Sequence, residues 1–313
     1  MKNPLLATSL AKALQNYRFK GKPLPGISTP AALNTLVRQM TDSVARVKYV
    51  EAIKKRHNRV GTAPAKLDPK NPNFDPLWAA VHYMEEGNID EAFWLIFLFV
   101  LCGKHVTKGY GLVRMVYGAF DDKFVWTWKK FSKKPDDFSL WLHQKLPAIK
   151  KARKQFPFGN HRKYESLDKL DIVLKSYADW IGSTRSHQRF ITTATVKAKA
   201  GGDPKKLFDY LYKDMKAVHR FGRTGKFDYL TMLGKMRLVD IEPPSAYMVH
   251  ATGPVRGARL LFAGRVDHNG FTKKQLDEMS IDLEIVLGVG MQVIEDSLCN
   301  WQKSPEKYIH FSG

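Results

Sequence analysis

Residues Ala92 to Cys102 read AFWLIFLFVLC, eleven in succession with no charge and no hydroxyl. The run is far short of the roughly 20 apolar residues that cross a bilayer. As a helix it has no polar face to offer water, so other elements of the chain must enclose it. Asn88, with Glu91 three residues later, reads as a capping box that sets its start. With 313 residues the chain can build that enclosure, as one compact body or two packed lobes rather than a string of modules.

The enclosing elements read as helices. Thr29 with Pro30 signals a helix start, followed by Leu33, Leu36, Val37, Met40, Val44 and Val47 at three-and-four spacing. Asp75 and Pro76 open another, and Leu167, Leu170, Leu174, Tyr177 and Ile181 form one apolar stripe. Thr272 and Gln275 cap a long final helix through Leu298, with Gly288 and Gly290 as possible bends. The best strand candidate, Arg189 to Val196, reads equally well as the end of a helix. These signals predict a mainly α fold. Composition divides the chain into a Pro/Gly-rich arm (1–28), a helical lobe (29–155) and a second helical lobe (156–313). The polar stretch His57 to Phe74 reads as a loop or lid. The two cysteines, Cys102 and Cys299, lie in apolar helical patterns, which predicts reduced core thiols and neither a disulfide framework nor a zinc site. With no sustained apolar leader, the expectation is a soluble cytosolic protein with no membrane partner.

Charge narrows the function. Lys plus Arg number 51 against 30 Asp plus Glu, a formal +21, which favours nucleic acid over anionic membrane or acidic protein as partner. From Lys129 to Tyr164 there are eleven Lys or Arg against two aspartates, with Trp126, Trp128, Phe131, Phe138 and Trp141 interleaved. Lys129, Lys130, Lys150 and Lys151 are the candidate DNA-phosphate contacts of this stripe. The same pattern also suits a solvated helix face over core tryptophans.

Three segments carry possible chemistry. In Phe158 to Leu167 the Gly159–Asn160 turn would set His161, Arg162 and Lys163 at the mouth of the helix running to Ile181, a sensible anion site. Glu165 could instead neutralise them. In His219 to Lys235, Gly222 and Gly225 permit close backbone approach, while Arg220, Arg223, Lys226 and Lys235 supply charge. Asp228 would be an ionised base one turn into a helix beginning near Gly225, or else a charge favouring the helix dipole. In Ala251 to Leu261 a Gly-containing turn loosely matches a helix-hairpin-helix, with Arg256 and Arg259 adding contacts to DNA.

Together the segments GNHRKYESL (159–167), FGRTGKFDYLTMLGK (221–235) and IEPPSAYMVHATGPVRGARLLF (241–262) resemble the bacteriophage α-glutamyl/putrescinyl-thymine pyrophosphorylase family, the amino acid:DNA transferases. EAFWLIFLFVLCGKH (91–105) and VYGAF (116–120) resemble it more weakly. The resemblance implies a DNA-glycosylase-like helical fold acting on double-stranded phage DNA in the infected host's cytoplasm. It implies displacement of pyrophosphate from pyrophosphorylated 5-hydroxymethyluracil by an amine or amino acid. In that setting His161, Arg162, Lys163, Arg220, Arg223 and Lys235 would hold the pyrophosphate. Asp228, Glu165 and Lys226 would be the catalytic groups, and Tyr164, Tyr229 or Tyr247 would stack on a base flipped from the duplex. A pyrophosphate site could recruit Mg²⁺, although no carboxylate cluster demands a metal. The competing readings are a helical DNA glycosylase using Asp267 or Asp277, and a non-enzymatic basic DNA-binding protein.

Overall fold

The computed structural model describes residues 3–159, 162 and 165–310. It is 66% helical, with fifteen α-helices and no strand among the described residues, so the fold is mainly α. The chain forms two compact units, and these do not follow the consecutive zones expected from composition. One comprises Met1–Tyr49 and Pro243–Phe311; the other comprises Val50–Glu242 with Ser312–Gly313.

In the first unit the expected arm contains a helix, α1 (Pro4–Asn16), started by the Asn3 side chain accepting from the Leu6 N–H and burying Ala7, Leu10 and Leu14. The helix α2 (Pro30–Val60) begins in this unit with Leu33, Leu36, Val37 and Met40 in the core, and Thr29 Oγ1 accepts from Ala32 N. It continues into the start of the stretch expected to be loop, through His57 to Val60, and stops at Gly61 with φ +69°. The remaining helices of this unit are α13 (Gly253–Ala263), α14 (Lys273–Leu287) and α15 (Met291–Trp301). The Thr272–Gln275 capping box starts α14 as expected. What reads as one long final helix is two, because Gly288 adopts the left-handed conformation and ends α14.

The second unit is built around the apolar run. It holds α3 (Pro64–Leu67), α4 (Pro76–Glu85), α5 (Ile89–Cys102), α6 (Gly111–Tyr117), α7 (Trp128–Lys133), α8 (Pro135–Lys151), α9 (Leu170–Ile181), α10 (His187–Lys197), α11 (Pro204–Asp214) and α12 (Arg223–Lys235). The central helix is α5, contacted by α4, α6, α7, α10 and α12. All of Ala92–Leu98 and Val100–Cys102 are buried. Asn88 caps α5 by accepting from Glu91 N, but the reciprocal half of the box is replaced. The Glu91 carboxylate turns inward to accept from Tyr117 O–H (2.7 Å) and Trp128 N–H (2.8 Å), and burial raises its pKa despite those bonds. The Arg189–Val196 segment is helical within α10, where the Ser186 cap and tertiary packing override the β preference of its Thr and Val residues.

Candidate functional site

The site grows out of the C-terminal end of α5. Gly103 ends that helix with φ +68°, and Gly159 lies so close that a Cβ on it would meet Gly103 Cα at 2.8 Å. Gly159 N–H donates to Cys102 O (2.8 Å), docking the turn that follows, and Arg162 N–H donates to Gly159 O (2.8 Å). The helix to Ile181 begins only at Leu170, after a short 3₁₀ turn capped by Ser166, so Arg162 precedes α9 rather than sitting in its first turn. His161, Lys163 and Tyr164 lie outside the described residues.

Arg162 is directed inward. Its Nε donates to Val100 O (2.8 Å), one of the last carbonyls of α5, which has no partner within its helix and carries the negative end of the dipole. Its Nη2 donates to Asp228 Oδ2 at 3.1 Å. Only 4% of the Arg162 side chain is exposed, against 43% for Asp228. In the reverse sense, Arg220 Nε donates to Glu165 Oε2 (3.0 Å), and Glu165 is 4% exposed. Two ion pairs thus cross between the segment at 159–165 and the segment at 220–228, each linking an arginine of one to a carboxylate of the other. Phe221 fills the space between, with the Arg162 guanidinium 5.7 Å from its ring centre and Phe97 of α5 stacked at 5.0 Å. Beneath them the Cys102 thiol is neutral, its pKa pushed up by burial and by Glu165.

The start of α12 adds cations. The helix begins at Arg223, so Asp228 is more than a turn inside it, past the range of a favourable N-terminal dipole contact. Among the described residues nothing lies within 4 Å of where a Gly222 Cβ would stand, whereas a Cβ on Gly225 would press on the Phe221 ring at 3.1 Å. Gly225 therefore serves packing rather than approach to a phosphate. The Arg223 guanidinium lies 4.9 Å from the Phe227 ring centre, and Lys226 Nζ lies 4.2 Å from that of Tyr212. Burial lowers the Lys226 pKa. The residue before α12 is Gly222, which has no side chain with which to cap it. Cations at this positive end are unfavourable unless an anion joins them. Lys235 closes the same helix seven residues beyond Asp228, about 10 Å farther along the axis.

Other expected contacts fall elsewhere. Tyr229 cannot stack on a base, since it is fully buried and its hydroxyl bonds to that of Tyr177 at 2.7 Å. Tyr247 is half-buried, with φ +49°, in the first unit. Also in that unit, Arg256 is exposed with Nε donating to Gln302, and Arg259 is half-buried. Gly253 is the first residue of α13 and Gly257 lies inside it. A Cβ on Gly253 would meet Cys299 Sγ at 2.5 Å and one on Gly257 would meet Leu298 O at 2.2 Å, so both let α13 lie against α15. Lys129, Lys130, Lys150 and Lys151 are exposed, whereas Trp126, Trp128, Phe131, Phe138 and Trp141 are core. Among these lysines Lys150 pairs with Asp168 (2.5 Å). Among the described residues no group of three His, Cys, Asp or Glu could hold a metal ion, and no helix is long and apolar enough to cross a membrane.

One polar network gave no sequence signal. His187 is fully buried, with Nδ1 donating to Asp90 Oδ1 (2.7 Å) and Nε2 2.8 Å from Tyr177 O–H. A lone histidine behind the Ser186 cap, 97 residues from its carboxylate, has no spacing that marks it.

The model of one protein family, described as alpha-glutamyl/putrescinyl thymine pyrophosphorylase clade 3, matches residues 31–313. No curated protein and no solved structure matches the chain.

Proposed function

Because the chain belongs to the alpha-glutamyl/putrescinyl thymine pyrophosphorylase family, clade 3, we propose that it is a transferase acting on modified thymine in double-stranded bacteriophage DNA. Its substrate is pyrophosphorylated 5-hydroxymethyluracil, and its co-substrate is an amine or amino acid. The amine nitrogen bonds to the methylene carbon on C5 of the pyrimidine as the carbon–oxygen bond breaks. That electron pair leaves with pyrophosphate, and the attacking nitrogen loses its proton to a base.

The observation that carries this reading is the pair of crossed ion pairs, which set one reachable carboxylate beside several cations. Asp228 is the base, because its carboxylate is 43% exposed while Glu165 is 4% exposed. Arg162 holds Asp228 rather than substrate, and Glu165 aims the Arg220 guanidinium. Arg220, Arg223 and Lys226, with the backbone N–H groups at the start of α12, take the charge that develops on the departing pyrophosphate. The base must leave the duplex to reach such a site. Exposed Lys129, Lys130, Lys150 and Lys151 hold DNA through its phosphates.

The test is incubation with DNA containing pyrophosphorylated 5-hydroxymethyluracil and a mixture of amino acids and diamines, followed by mass spectrometry of the nucleosides. An aminated thymine formed in step with released pyrophosphate supports the reading. Abasic sites would point to a glycosylase, and tight DNA binding with neither product to a binding protein.

A further inference from the structure

Tyr229 follows Asp228 in α12 but points into the core, where it ends a chain of hydrogen bonds. Tyr229 O–H and Tyr177 O–H are 2.7 Å apart, Tyr177 O–H and His187 Nε2 are 2.8 Å apart, and His187 Nδ1 is 2.7 Å from Asp90 Oδ1. The same Asp90 oxygen accepts from the His187 backbone N–H at 2.7 Å. Each member lies on a different helix: Asp90 on α5, His187 on α10, Tyr177 on α9 and Tyr229 on α12.

The chain has one consistent direction. Burial lowers the His187 pKa, although Asp90 opposes this, so the ring is neutral and carries its proton on the nitrogen facing Asp90. Nε2 must then accept from Tyr177, whose oxygen in turn accepts from Tyr229; burial keeps both tyrosines protonated. The surroundings are aromatic, with Phe93 and Trp128 each 4.6 Å from the His187 ring and Phe97 stacked on Tyr177 at 3.7 Å. His187, Tyr177 and Tyr229 have no exposed surface, so they cannot touch a substrate. Phenylalanine would fill the tyrosine sites without the cost of burying hydroxyls, so the hydroxyls must provide direction.

The element that needs direction is α12. Its buried residues, Gly225, Phe227, Tyr229, Leu230, Thr231, Met232 and Leu233, fall all round the helix at 100° per residue. Apolar packing on every side does little to select one rotation about the axis. A single buried directional contact does select one, which is the best-attested use of buried polar groups.

We propose that His187 is a positioning residue for the candidate site, setting through Tyr177 and Tyr229 the rotation of α12 and hence the direction in which Asp228 meets Arg162. As a statement about the geometry of that pair it stands apart from the reaction; its effect on turnover rests on the function proposed above.

The experiment uses the full chain with ¹⁵N-labelled arginine and follows hydrogen exchange at the Arg162 Nη2–H group that meets Asp228, assigned by its loss in Arg162→Lys. His187→Gln and Tyr229→Phe are compared with Leu211→Ala, a core variant off the network that lowers Tm without touching α12's hydroxyl. Exchange at Arg162 should quicken by about tenfold or more in His187→Gln and Tyr229→Phe, and stay at the wild-type rate in Leu211→Ala. In a parallel turnover assay kcat should fall in the first two with KM unchanged. Wild-type exchange at Arg162 in folded His187→Gln and Tyr229→Phe overturns the proposal, as does equal quickening in Leu211→Ala. A wild-type protein that makes no aminated thymine overturns the function instead and leaves the exchange result to stand by itself.

Discussion

Along α7 and α8 the cations are mostly lysines held out in water above buried tryptophans, whereas around the start of α12 two arginines turn toward carboxylates. The chemistry of the two side chains explains the division. A lysine ammonium is compact and strongly hydrated, so it stays in solvent and meets a polyanion as a point charge. The planar arginine fork gives up water more readily and can serve two acceptors at fixed angles, as Arg162 serves Val100 O and Asp228. The lesson is that a positive residue count does not distinguish a surface that attracts DNA from a scaffold that aims a carboxylate. Burial and partners do.

The sharpest way to break this contrast is Asp228→Asn. Removing the proposed base from the inward region should lower turnover by about 100-fold to 10,000-fold, while DNA affinity by filter binding changes little. Replacing Lys129, Lys130, Lys150 and Lys151 with alanine should do the converse, weakening binding to all DNA sequences alike. It should also reduce the slope of log affinity against log salt by roughly 3 to 4. Arg162→Ala leaves Val100 O and Asp228 without their buried donor, which should cost about 2–3 kcal/mol and about 5–10 °C in Tm by calorimetry. Arg162→Lys should recover little of that loss, since one ammonium cannot replace the fork.

A smaller effect is pH dependence. The folded-state pKa of His187 lies below its usual 6.5 because of burial, so the unfolded chain binds the proton more readily. Stability is therefore complete above pH 6.5 and falls as the pH drops below it toward the lowered value. Thermal melts across pH 5–7 should show a shallower fall for His187→Gln than for wild type. Smallest of all, and remote from both basic regions in sequence, Thr272→Ala removes the cap of α14 and should cost about 1 kcal/mol with turnover unchanged.

Much of the fold could be read from local signals. The caps at Asp75 and Thr272, and the stripes of α2 and α9, are local physics and appear where their residues predict. The α1 helix was obscured because the prolines and glycines flanking it outweighed the spacing of Ala7, Leu10 and Leu14. At the site, the residue types at 162, 165, 220 and 228 were legible but their pairing was not. Arg162 and Asp228 are 66 positions apart, and a basic residue after a Gly turn looks the same whether it faces solvent or the end of α5. Glycines misled for a related reason. Gly225, Gly253 and Gly257 are small because another part of the chain needs the space, and only the packed structure identifies that neighbour.

The division of labour between the two regions is tested most directly by one titration. Wild type, Asp228→Asn and the four-lysine variant are each titrated with pyrophosphorylated 5-hydroxymethyluracil DNA at fixed amine, and the half-saturation point and plateau rate of pyrophosphate release are read together. Asp228→Asn should lower the plateau and leave the midpoint in place, and the lysine variant should move the midpoint and leave the plateau. If both variants shift the same quantity, or if Asp228→Asn turns over at the wild-type plateau, the assignment of chemistry to the arginine-bearing region is wrong.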